Sequence, residues 1–181
     1  MIAFANRRTL FLAAISIVFI LSGCASPANR TAMTPQVDVA NKNNPFSLHV
    51  QTRGGSETDA ADSSNISDAD LKAAIENAVI QSKVFKSIVQ GTDGDYELSV
   101  SVVTLTKPLF GGTFTVELET AWSLTKAGDR SVGMRKSIKT SGTATMGDAL
   151  VGVTRLRMAV ENAAREGIRQ GIKAISEIDI K

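Results

Sequence analysis

Thiols and imidazoles are nearly missing from this sequence: Cys24 is its one cysteine and His49 its one histidine. A single thiol excludes an internal disulfide and a multi-cysteine metal cage. A single imidazole leaves little general-base chemistry. Charge of one sign is also lacking. The formal net charge is +2, and Arg7 and Arg8 are the only charged residues before Cys24. Without that pair, 18 basic side chains stand against 18 acidic ones, so no excess favours a nucleic-acid partner. Catalytic motifs are missing too. Asp68 and Asp70 read as helix-start residues, and Glu117 and Glu119 as the solvated face of a strand. Gly111-Gly112 lacks the helix and lysine of a phosphate loop. The sequence points to no enzyme, no metal and no cofactor.

What is present begins with the amino terminus. Arg7-Arg8 precede an apolar run from Leu10 to Leu21, and small residues follow. That order is a secretory signal peptide. The run is shorter than the roughly 20 residues of a membrane-spanning helix. Its apolar strength suits ordinary secretion better than a twin-arginine route. Leu21-Ser22-Gly23-Cys24 resembles the bacterial lipobox. The resemblance implies diacylglycerol on the Cys24 thiol, removal of residues 1–23, and acylation (palmitate) of the new amino terminus. Ala25 stands where an inner-membrane retention signal would be Asp. Its presence implies sorting to the outer membrane, with the domain in the periplasm.

Residues 24–44 are rich in Ser, Thr, Asn, Pro and Ala and show no apolar period. They read as a lipidated flexible tether, about 25 Å in root-mean-square span. Residues 45–181 read as one periplasmic domain. Phe46, Leu48 and Val50 alternate with polar residues as a strand, which points His49 outward to solvent. Ser67 or Asp68 caps a helix whose stripe is Leu71, Ala74, Ile75, Ala78 and Val79. Val84 to Val89 either extend it or form a short strand. Gly91-Thr92-Asp93-Gly94-Asp95 is a turn cluster, and three strands follow. In the first, Val103 and Leu105 break the alternation, which suggests a bulge or a region covered on both faces. In the second, Phe114, Val116, Leu118, Thr120, Trp122 and Leu124 share one face. Lys126 to Asp129 turns it into the third, with Val132, Met134 and Ile138 inward. A final helix carries the stripe Leu156, Val160, Ala163, Ala164, Ile168, Ile172 and Ile175, with Glu161 and Arg165 as an exposed pair. Gly167 and Gly171 beside that stripe imply close packing on the sheet. The expected fold is α+β in two layers: an antiparallel sheet of three to four strands with two helices on one face, in the order β-α-β-β-β-α.

Two features are candidates for binding. Leu109 and Phe110 fall at a hairpin tip, where they contact a partner or a membrane, or else fold back over the sheet edge. Arg130, Arg135, Lys136 and Lys139 belong to a basic stretch that either forms a patch or covers solvated faces.

The layout resembles the small envelope lipoproteins of Gram-negative bacteria, among them ABC-transport auxiliary and lipopolysaccharide-assembly accessory lipoproteins. Besides the lipobox, the likeness rests on Asp95-Tyr96-Glu97-Leu98, Ala121-Trp122-Ser123-Leu124 and Ala163-Ala164-Arg165. It implies a non-catalytic subunit, held to the membrane by its lipid, that docks on an envelope protein. The residues leave other readings open: a homo-oligomer, a carrier with lipid or a small ligand between sheet and helices, or a surface-exposed protein.

Overall fold

The computed structural model describes residues 25–39, 44–59 and 63–180. Cys24 lies outside the described residues. In chain order the elements are α1 (Arg30–Met33), β1 (Asn44–Arg53), α2 (Asp68–Ser82), β2 (Phe85–Ile88), β3 (Tyr96–Thr106), β4 (Phe114–Lys126), β5 (Val132–Ala144) and α3 (Gly152–Glu177).

The two long helices form where the apolar stripes predict them, while α1 falls in the stretch expected to be a tether. Ser67 caps α2 by accepting a hydrogen bond from the Asp70 amide at 3.1 Å, and all five stripe residues are buried. Lys83, left-handed at φ 54°, ends it. Phe85–Ile88 then form strand β2, so this stretch does not extend the helix. The α3 stripe is buried along its whole length.

The sheet has five strands in the order β2-β1-β3-β4-β5 and is mixed, not antiparallel with three or four strands as expected. β1 runs parallel to both β2 and β3, while β3-β4 and β4-β5 are antiparallel. The cause is the helical crossover: β1-α2-β2 returns the chain in the same direction, so the pair must be parallel. The chain then changes sides. β2 ends level with Leu48, and β3 begins level with the same residue on the other flank. Residues 89–95 therefore cross β1 on the face away from the helices. There Val89 donates its amide to the Leu48 carbonyl at 3.0 Å, and Ser47 donates its amide to Asp95 at 2.8 Å. Gly94 is required at this crossing, since a Cβ there would stand 2.9 Å from the backbone nitrogen of His49. His49 is consequently buried at 8% exposure, with Nδ1 3.4 Å from the Val89 carbonyl oxygen. The expectation of a solvated imidazole fails because one turn cluster proves to be a lid.

The expected bulge in β3 lies between Val102 and Thr104, leaving Val103 exposed. Every apolar member of the β4 stripe is buried, and Thr120, also buried, accepts the Trp122 indole N–H at 2.9 Å. Lys126 to Asp129 leads into the predicted hairpin. Val132, expected inward, is half exposed because the register shifts opposite Leu124 and Thr125. Both long helices cover one sheet face. α3 lies so close to β5 that a Cβ on Gly142 would overlap the Ala159 carbonyl and the Ala163 amide.

Residues 25–39, read from composition as part of a tether, pack along the helical layer. Met33 is fully buried and Ala28 nearly so. The Ala28 amide donates to the Asn65 carbonyl at 3.1 Å. Arg157 Nη1 donates to Ser26 Oγ at 3.0 Å, the Asn29 amide donates to Glu161 at 2.9 Å, and Arg165 Nε donates to the Ala32 carbonyl at 2.7 Å. Glu161 is thus buried under this strap and pairs with Arg157 at 3.5 Å instead of with Arg165. Two apolar anchors and four polar ties suffice here, and such a pattern has no period to read.

Candidate docking end

At the end of the sheet where β4 begins and β5 finishes, two loops meet. Residues 107–113 join β3 to β4, and residues 145–151 join β5 to α3. Each is held by a cation. Lys107 Nζ donates to the Ser64 carbonyl at 3.2 Å and to Asn65 Oδ1 at 2.5 Å. Arg155, only 6% exposed, donates Nη1 to the Ala149 and Leu150 carbonyls at 2.8 and 3.0 Å, and Nη2 to the Gly111 carbonyl at 3.2 Å. Its guanidinium carbon lies 5.2 Å from the centre of the Phe114 ring. A rigid fork with several donors can tie two loops at once, which a point-charge ammonium does poorly. The second loop is tightened further by Asp148, which accepts from the Thr145 amide at 2.7 Å and the Thr145 hydroxyl at 2.8 Å. Those bonds, the amide's first, hold its carboxyl below the ordinary range.

The side chains of these loops are strongly apolar and stand in solvent. Leu109 is 94% exposed, Phe110 87% and Leu150 83%; Met146 and Val151 are more than half exposed. The two loops touch, because a Cβ on Gly112 would lie 3.4 Å from the Met146 sulfur. Leu109 and Phe110 therefore do not fold back over the sheet edge. Met146, Leu150 and Val151 were not singled out from sequence. Their only sequence signal is a short apolar group just before the last helix, and their nearness to Leu109 depends on the hairpin.

The basic candidates do not gather on one face. Arg130 sits in the far β4-β5 turn at φ 54°. Arg135 and Lys139 face away from the helices, while Lys136 stands opposite Trp122 on the helix side. Lys139 pairs with Glu119 at 3.5 Å, and Glu119 also accepts the Ser137 hydroxyl at 2.7 Å. The Ser137 bond is the main cause of its lowered pKa. β5 is the sheet edge, and exposed cations along an edge strand discourage a second chain from pairing there.

The sheet face away from the helices is bare beyond the 89–95 crossing. Ser99, Ser101, Ala121, Ser123 and Ser137 line a shallow depression of about 380 Å³ beside Arg135. Another depression, about 440 Å³, opens at the opposite margin between α2 and β2, lined by Val79, Ile80, Lys83, Phe85 and Ile88. Beneath Trp122 the layers are in contact through Gly171, which leaves no room there for a ligand. Among the described residues no three His, Cys, Asp or Glu side chains group as metal ligands, and no helix is long and apolar enough to cross a membrane.

No family model and no curated sequence matches the chain. Solved structures do match its shape. A DUF330 protein from Xanthomonas campestris aligns with a TM-score of 0.60 at 13% identity, over 83% of this chain and 94% of its own. The PelC protein of Paraburkholderia phytofirmans, a dodecamer, aligns with a TM-score of 0.50 at 13% identity, over 77% and 93%. A hypothetical protein of Chlamydia trachomatis aligns with a TM-score of 0.50 at 6% identity, over 72% and 93%. At such identities the likeness shows a shared fold.

Proposed function

We propose that this chain is a non-catalytic lipoprotein, anchored through acyl chains on Cys24 to the periplasmic leaflet of the outer membrane, that serves as a docking subunit of an envelope assembly. The lipobox-like Leu21-Ser22-Gly23-Cys24 supports the anchor. The observation that carries the docking role is the bare sheet face. A two-layer fold normally hides one sheet face under helices and leaves the other to water or a partner. Here the centre of that second face is small, with Ser99, Ser101, Ala121, Ser123 and Ser137 lining a shallow depression, while Arg53, Glu119, Arg135 and Lys139 stand around it, so a partner would meet a small-residue floor with charged margins. The closed packing under Trp122 speaks against a ligand carried between sheet and helices. A role in lipid or lipopolysaccharide transport follows from the resemblance to envelope lipoproteins. The dodecameric PelC makes self-assembly a second reading of the same face.

The test is photo-crosslinking in intact envelopes. A crosslinker replaces Ala121 or Ser137 on the sheet face, or Lys173 on the exposed side of α3. Adducts to one defined protein from the two sheet positions and none from Lys173 support the reading. Adducts to a second copy indicate self-assembly. The absence of adducts from both sheet positions overturns it.

A further inference from the structure

The apolar end and the amino-terminal strap share one end of the molecule. The strap runs parallel to α3: Ser26 meets Arg157, Asn29 meets Glu161, and Ala32 meets Arg165. Followed backward, it leads toward the first turn of α3, which Leu150 and Val151 immediately precede. Val151 and Arg157 are six residues apart, about 9 Å along a helix axis. Cys24 lies two residues before Ser26, a covalent reach of about 7 Å. The strap leaves no free spacer between the described domain and that residue.

We propose that Leu109, Phe110, Met146, Leu150 and Val151 form a wedge that enters the same lipid leaflet as the Cys24 acyl chains. The membrane orientation rests on Cys24 being lipidated, as read above. A membrane is the occupant because the proposed attachment point is covalently held within about 7 Å of Ser26, which packs near the start of α3 that the patch precedes, and because the patch is convex. It consists of side chains on two protruding loop tips, not a groove that a peptide would fill. The loops are also preorganised. Arg155 bonds carbonyls in both, and Lys107 ties the first to residues 64 and 65. Backbone groups near the tips are thus partly satisfied before they meet lipid, where an unpaired carbonyl is costly. Asp148 is the one carboxylate in these loops, and its two bonds from Thr145 suit the headgroup level.

One lipid chain alone gives marginal membrane binding, and a second contact makes the attachment firm. For a multiply acylated protein the wedge adds orientation more than affinity. It would stand β4 and β5 upright on the membrane and turn the 127–130 hairpin away from it.

The chain's single cysteine makes the test direct. Full-length protein purified from envelopes is reconstituted into vesicles of phosphatidylethanolamine and phosphatidylglycerol. Phe110→Cys, Leu150→Cys and Gly128→Cys variants are each labelled with an environment-sensitive fluorophore. Labels at 110 and 150 are expected to be quenched at least threefold more by nitroxide on lipid acyl chains than the label at 128, and to resist aqueous iodide. Equal quenching by iodide at all three positions overturns the wedge. Unmutated protein reports on the anchor separately. If Cys24 is acylated it takes up no label; uptake refutes lipidation. In that case the same measurement on variants carrying Cys24→Ser decides whether the loops enter lipid unaided. Because positions 110 and 150 are exposed, the substitutions leave the fold intact, which circular dichroism verifies.

Discussion

The backbone of Gly171 in α3 lies against the ring of Trp122 in β4, so that a methyl group at this position would overlap three carbons of the indole. This contact sets the spacing between helix and sheet. Gly171→Ala is expected to destabilise the protein by about 1–3 kcal/mol through overpacking, even though alanine is the better helix former. Gly167, one turn earlier, provides the contrast. A Cβ there would be 3.5 Å from Thr140 Oγ1 and 4.0 Å from Leu118, ordinary contacts. Gly167→Ala is expected to stabilise by up to about 1 kcal/mol. Urea denaturation of the two variants checks both signs.

Glu161 tests the strap. Its carboxylate accepts the Asn29 amide and pairs with Arg157, and it is 6% exposed. Glu161→Ala removes both interactions and leaves the Asn29 amide to find water. A loss of about 1–3 kcal/mol is expected. Limited proteolysis should then cut within residues 26–34, a stretch that in the parent protein should resist. Unchanged resistance would show that Ala28 and Met33 hold the strap by apolar contact alone.

Arg155 tests the joined loops. Arg155→Met keeps much of the contact with Phe114 but removes every hydrogen bond to Gly111, Ala149 and Leu150. Amide hydrogen exchange in residues 109–113 and 147–151 is expected to rise at least tenfold, with little change in β3. Arg155→Lys should not restore protection, since one ammonium cannot serve both loops.

Acid should weaken the fold through a set of surface carboxylates. Asp95 is lowered first by the Ser47 amide and then by its hydroxyl. Asp129 is lowered first by the Ser131 hydroxyl, and Glu119 and Asp148 by the bonds already described. A carboxylate whose folded pKa is depressed contributes stability above its unfolded value and loses that contribution as pH falls through the folded value. The melting temperature should therefore be flat from neutrality to about pH 5 and fall below about pH 4. Asp95→Asn should reduce that acid slope, and a slope identical to the parent would remove Asp95 from the account.

Periodicity explains what could be read from sequence. The α2 and α3 stripes and the β4 face each repeat often enough to reveal their period, so Leu71 to Val79, Leu156 to Ile175 and Phe114 to Leu124 all lie where expected. The parallel pairing of β1 was hidden because a strand's alternation is the same in either direction. β2 is four residues long and shows no clear period. His49 was misread because its cover comes from Val89 and Gly94, forty or more positions away. Of the apolar end, Leu109 and Phe110 were visible as residues that a hairpin must expose. Their partners Met146, Leu150 and Val151 join them only through the three-dimensional course of Arg155.

The crossing at residues 89–95 leaves β1 enclosed, with β2 on one flank, β3 on the other and a segment of chain laid across it. β1 is also the strand nearest in sequence to the amino-terminal strap. Tension applied at that terminus would first draw the strap off α3, and would then load β1 along its length and have to slide it past two ladders at once. Peeling an outer strand, by contrast, breaks one bond after another. Were the molecule hung by its amino terminus, as proposed, a pull that overcame the strap would fall next on the part of the sheet most resistant to being drawn out.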